Sequence, residues 1–84
     1  MTFHTLDTVV LTRDIPEAGL RAGDLGAVVQ LYGPESEPDA LDVEFVTAAG
    51  RTQALQTLSP ADVRRVRDDD LLAVRPAAPM RGAA

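Results

Sequence analysis

Gly19-Leu20-Arg21-Ala22-Gly23-Asp24-Leu25-Gly26-Ala27-Val28-Val29 constrains the fold more than any other stretch of this chain. Three glycines at 19, 23 and 26, followed by an apolar β-branched pair, describe a backbone that turns tightly and then enters a buried strand. Such a turn needs residues that accept φ > 0, or positions where a side chain would crowd the next strand. It is the diverging turn expected of a small SH3-like barrel, and it carries no chemistry of its own.

Extended segments surround it. Leu6 to Thr12 is rich in β-branched residues and predicts the first strand. Ile15-Pro16-Glu17-Ala18 breaks the pattern, because Pro16 donates no ladder hydrogen bond. Ala27 to Tyr32 predicts the second strand, with Ala27, Val29 and Leu31 on one face and Val28, Gln30 and Tyr32 on the other. Gly33-Pro34-Glu35-Ser36-Glu37-Pro38-Asp39 has two prolines, three acids and no large apolar side chain, which predicts an exposed loop.

Ala40 to Val46 alternates strictly, Leu41, Val43 and Phe45 facing one way and Asp42 and Glu44 the other, and is the clearest half-buried strand. Thr47-Ala48-Ala49-Gly50 predicts a hairpin loop leading to a fourth strand over Arg51 to Leu58. Ser59-Pro60-Ala61-Asp62 is a helix-start signature with room for one turn, so a single 3₁₀ turn and a short closing strand over Val63 to Arg67 are expected.

The fold expected is therefore all-β: a five-stranded SH3-like barrel over residues 1–67, with an acidic run and a mobile Ala/Pro-rich tail over 68–84. Leu71-Leu72-Ala73-Val74 is a brief apolar patch placed to lie against the barrel. The predicted core is Leu6, Val9, Leu11, Leu25, Val28, Val29, Leu41, Val43, Phe45, Leu55, Leu58, Val63 and Val66.

Eighty-four residues without cysteine have neither disulfides nor thiolate metal sites, so packing alone must hold this core. The start lacks a basic leader and no apolar run approaches the roughly 20 residues of a membrane span, so a soluble cytoplasmic protein is expected. The net charge of -5 is uneven. Residues 1–50 set two arginines against nine acids, a net -7, whereas 51–84 set six arginines against four acids, a net +2. An acidic front half repels phosphate backbones and attracts basic partners.

In order, Leu-Asp-Thr-Val-Val-Leu (6–11), Ile-Pro-Glu (15–17), Gly-Asp-Leu-Gly-Ala-Val-Val (23–29), Val-Glu-Phe-Val (43–46) and Ala-Leu-Gln-Thr-Leu (54–58) resemble the small bacterial family catalogued as domain of unknown function 4926. Ala27, where threonine is commoner, the expanded acidic loop from Pro34 to Asp39 and the tail after Arg67 depart from its pattern. The resemblance implies a strand-rich protein and carries over no catalytic residue.

No reactive constellation stands out, so no catalytic residue, metal ligand or cofactor is assigned. His4 is the only histidine and has no serine or cysteine partner in the pattern. Asp42 and Glu44 share one strand face at a spacing that suits a divalent ion, yet alternating acids are also what the solvent side of a strand requires. Asp68 to Asp70 lacks the glycine and bidentate glutamate of a calcium loop. RNA binding would need stacking aromatics beside basic grooves, and only Phe3, Tyr32 and Phe45 are aromatic.

The expectation that remains is a non-catalytic protein-interaction module, either an accessory subunit or an immunity or antitoxin-like protein. It would meet a basic partner through Glu17, Glu35, Glu37, Asp39, Asp42 and Glu44, with Gly19, Gly23 and Gly26 shaping the turn. The alternatives are a barrel binding a small ligand or divalent metal through Asp42, Glu44 and the 35–39 acids, and an RNA-binding SH3-like domain.

Overall fold

The computed structural model describes residues 1–77. Five antiparallel strands form one sheet: β1 (Thr8–Leu11), β2 (Leu25–Tyr32), β3 (Ala40–Val46), β4 (Thr52–Leu58) and β5 (Val63–Arg65), in the order β4-β3-β2-β1-β5. Two 3₁₀ turns interrupt them, Pro16–Ala18 between β1 and β2 and Pro60–Asp62 directly before β5. No backbone pairing joins β4 to β5, so the sheet is open, with these two strands as its edges.

The predicted diverging turn has two kinds of glycine. Gly19 (φ 70°) and Gly23 (φ 97°) occupy the left-handed region that side chains disfavour. Gly26 instead lies in ordinary strand backbone opposite Val9, and its smallness serves packing. A Cβ there would stand 2.5 Å from Val43 Cγ1 and 2.9 Å from Phe45 Cε1, so β3 fills the space that Gly26 leaves.

The core comprises Phe3, Val9, Leu11, Ile15, Ala18, Leu20, Val28, Leu41, Val43, Phe45, Ala54, Leu58 and Val63. Five of the expected members fall outside it, for identifiable reasons. Leu6 is 75% exposed in a turn (φ 73°) closed by the Asp7 carboxylate, which accepts the His4 N–H at 2.8 Å, and Phe3 is buried instead. Leu55 and Leu58 are an odd number of residues apart and cannot share a strand face; Leu58 and Ala54 turn inward while Leu55, opposite Glu44, is 59% exposed.

Leu25 has the wrong parity relative to the buried Gly26 and Val28, and Val29 sits where the β2–β3 register slips between Val28 and Gln30. That bulge reverses the alternation, turning Leu31 towards the core beside Leu41 and Tyr32 outward. Val66 lies beyond β5 and is half-buried.

The β1–β2 connection is more than a surface loop. Ile15 and Leu20 form an isolated bridge that folds it back, and Ile15, Ala18 and Leu20 are all buried in the core. Arg13 ties its start to Asp62 at 2.9 Å, and the Gln53 side-chain amide donates to the Ala18 carbonyl at 3.4 Å. The acidic connection 33–39 also has an anchor: Pro38 is buried, and the Phe3 N–H donates to the Glu35 carbonyl at 3.1 Å.

The segment after β5, of which the Ala/Pro-rich part from Arg75 was expected to be mobile, is held at two points among the described residues, Asp70 and Arg75. Asp70 accepts both Arg64 terminal nitrogens at 2.8 Å and the Arg67 N–H at 2.6 Å. Arg75 Nε donates to Asp24 Oδ1 at 2.9 Å, its Nη2 bonds to Asp24 Oδ2, and the same nitrogen donates to the Gly19 carbonyl at 3.1 Å. Between these anchors Leu71, Leu72 and Val74 face solvent, so an arginine and not the apolar patch fastens the segment. The rest of the expected tail, 78–84, lies outside the described residues.

Candidate functional site

Two sets of acids bear on the site, while Asp14, Asp68 and Asp69, which also lack an arginine at ion-pair distance among the described residues, belong to neither. Asp7, Asp24, Asp62 and Asp70 each have an arginine within ion-pair distance, and Asp7 also lies 3.8 Å from His4. None of Glu17, Glu35, Glu37, Asp39, Asp42 and Glu44 has a cation within ion-pair distance among the described residues, although Glu17 is near enough to Arg13 to act on its charge.

Three elements present this second set. Glu17 is exposed in the first 3₁₀ turn, while Glu35, Glu37 and Asp39 are exposed on the β2–β3 connection. Asp42 and Glu44 project from the outer face of β3, the face opposite Leu41, Val43 and Phe45.

These two β3 carboxylates are held by hydroxyls from neighbouring strands. Asp42 accepts the Thr57 hydroxyl at 2.6 Å and the Tyr32 hydroxyl at 2.7 Å, one from β4 and the other from β2. Glu44 accepts the Thr52 hydroxyl at 3.0 Å. The hydrogen bond from Thr57, followed by that from Tyr32, holds the Asp42 carboxyl below its ordinary range, and donating to Asp42 raises the Tyr32 phenol. Asp42 therefore stays ionised while its oxygens are engaged from both sides, as a fixed negative charge rather than a proton carrier.

Nothing in the sequence pattern marks Tyr32, Thr52 and Thr57 as hydroxyl partners of these acids. A register counted outwards from the closing pair Val46–Thr52 would place Asp42 opposite Gln56, and a slip between Phe45 and Val46 brings Thr57 there instead. The Tyr32 contact depends on the β2 bulge, which no residue pattern announces.

Among the described residues, no three histidine, cysteine, aspartate or glutamate side chains are gathered as metal ligands. His4 lies beside Asp7, and Phe3 and Phe45 are in the core, leaving Tyr32 as the exposed aromatic. A cleft of about 410 Å³ opens between the 19–25 turn and the β3–β4 hairpin, with Ala73, Val74 and Arg75 along one wall. Its size suits a small ligand. None of the six candidate acids lines it, and its Asp24 carboxylate is bound to Arg75. No described helix is long and apolar enough to cross a membrane.

A family model matches residues 5–65, from the turn before β1 to the end of β5. The chain belongs to the family described as Domain of unknown function (DUF4926). The family match thus takes in the whole sheet and all six candidate acids, while the Arg75 anchor lies outside it. Comparison with curated proteins and with solved structures gave no match.

Proposed function

We propose that the chain is a cytoplasmic, non-catalytic protein-interaction module built on an SH3-like barrel, and that it receives a basic partner on its acidic side. The barrel reading is supported by the order β4-β3-β2-β1-β5, the 3₁₀ turn directly before β5 and the curled β1–β2 connection whose Ala18 meets Gln53 of β4.

The observation that carries the functional reading is the division of charge. Arginines pair with Asp7, Asp24, Asp62 and Asp70, whereas among the described residues Glu17, Glu35, Glu37, Asp39, Asp42 and Glu44 are in no ion pair, Glu17 meeting only the more distant charge of Arg13. Unpaired carboxylates on a scaffold of net charge -5 attract a cationic surface and speed its encounter. This fits an accessory subunit or an immunity or antitoxin-like protein that covers a basic protein.

The tagged chain incubated with lysate of its native host at low salt is expected to retain a basic protein in stoichiometric amount. Moderate salt should release it, and Glu35→Gln/Glu37→Gln/Asp39→Asn should fail to retain it. Recovery of no stoichiometric protein, or equal recovery by wild type and variant, overturns the reading.

A further inference from the structure

The two edges of the sheet are unlike. β5 is three residues long and carries Arg64 and Arg65, a short charged edge of the kind that resists pairing with another chain. β4 is seven residues long, Thr-Gln-Ala-Leu-Gln-Thr-Leu, with no charge, proline or glycine. Among the described residues, the backbone pairing of Ala54–Leu58 is with β3 alone. Such an edge is a template for an added strand.

We propose that β4 pairs antiparallel with β4 of a second copy of this chain, about a two-fold axis passing beside Leu55. In an antiparallel pair, opposed residues share a face, so the axis of a self-pairing strand must lie opposite a residue and not between two. Centred on Leu55, it sets this 59%-exposed leucine against its own copy on the outer face and Ala54 against Gln56 on the inner one. An apolar pair thereby covers surface that the single sheet leaves in water.

Charge selects this occupant over a basic strand. β4 itself carries no acid to offer a cation. Nor does the net -5 oppose the seam. Glu44 is opposite Leu55, so Glu44 and its copy would stand three strand spacings apart, about 14 Å. That exceeds the Debye length of about 8 Å at physiological salt. The seam leaves the 33–39 connection uncovered, so this pairing does not depend on the acidic docking surface.

Sedimentation velocity over a concentration series, with the full chain, tests the pairing. Wild type should associate reversibly to a dimer, and the amides of Ala54–Leu58 should exchange more slowly as concentration rises. Leu55→Lys places two ammonium groups opposite each other and should weaken association at least ~10-fold with an unchanged circular dichroism spectrum. Val46→Lys, on the same face and 53% exposed but in β3, should leave association intact. A chain that remains monomeric up to about 1 mM, a dimer indifferent to Leu55→Lys, or one broken by Val46→Lys overturns the proposal.

Discussion

Two groups of acidic side chains on one small sheet have opposite fates. Asp24 and Asp62 are gripped by arginines about fifty residues away in sequence, Arg75 and Arg13, and thereby tie the segment after β5 and the start of the β1–β2 connection to the sheet. Glu35, Glu37 and Asp39, on a connection whose own anchors are Pro38 and a backbone contact to Phe3, meet no cation among the described residues. The arginine-bound carboxylates are part of the architecture, and under the proposed function the 35–39 acids are surface left for another molecule.

The largest expected effect falls on the scaffold that keeps the two groups apart. Gly26→Val drives a side chain into Val43 and Phe45, and should destabilise the fold by about 3 kcal/mol in urea unfolding. A loss below about 0.5 kcal/mol would mean that β2 and β3 are not packed as described.

Next comes a member of the paired set. Asp62 accepts Arg13 at 2.9 Å and the Ser59 N–H at 3.1 Å, closing a capping box over the 3₁₀ turn before β5. Asp62→Ala should cost about 1 kcal/mol, chiefly through the cap, because the Arg13 end of the pair is more than half exposed and screened. An unchanged unfolding midpoint would remove Asp62 from the structural group.

Acid should report on Asp62 and Asp70 in particular. Arg13 holds the Asp62 carboxyl, and Arg64 with the Arg67 N–H holds that of Asp70, below the usual carboxylate range. The unfolded chain then binds more protons than the folded one at low pH. The stabilisation is complete above the unfolded value near 3.8 and is lost as pH falls below it. Melting temperature should hold between about pH 7 and 5 and then drop, less steeply in Asp62→Ala. Equal slopes in the two proteins would contradict the role given to Asp62.

The smallest effect on stability belongs to the unpaired set. Glu35→Gln/Glu37→Gln/Asp39→Asn should change unfolding free energy by no more than about 0.5 kcal/mol, with a gain more in keeping than a loss. A clear destabilisation would move these acids into the architectural group.

Sequence pattern reveals these regions unequally. β3 is legible because Leu41, Val43 and Phe45 alternate with Asp42 and Glu44, and the second 3₁₀ turn because Ser59-Pro60-Ala61-Asp62 states its cap locally. Gly19 and Gly23 announce a turn through the residue type that φ > 0 demands.

What stayed hidden depends on register or distance. A bulge at Val29 reverses the inward face of β2, and Ile15, Ala18 and Leu20 reach the core from a connection with no periodicity to betray them. The Asp24–Arg75 pair joins positions 51 residues apart, so nothing near either residue distinguishes Asp24 from the unpaired Glu35. The six candidate acids could be named from their place on loops and on the polar face of an alternating strand, but that no described arginine pairs with them emerges only once the chain is folded.

The most direct test is the affinity for the basic protein that the proposed function expects the tagged chain to retain, measured by calorimetry between about 50 and 300 mM NaCl for wild type and for Glu35→Gln/Glu37→Gln/Asp39→Asn. The dissociation constant of wild type should rise steeply with salt, while that of the variant should be at least ~10-fold weaker at the lowest salt and nearly flat. Superimposable curves for the two proteins would contradict the claim that carboxylates left without arginine are where this chain meets its partner.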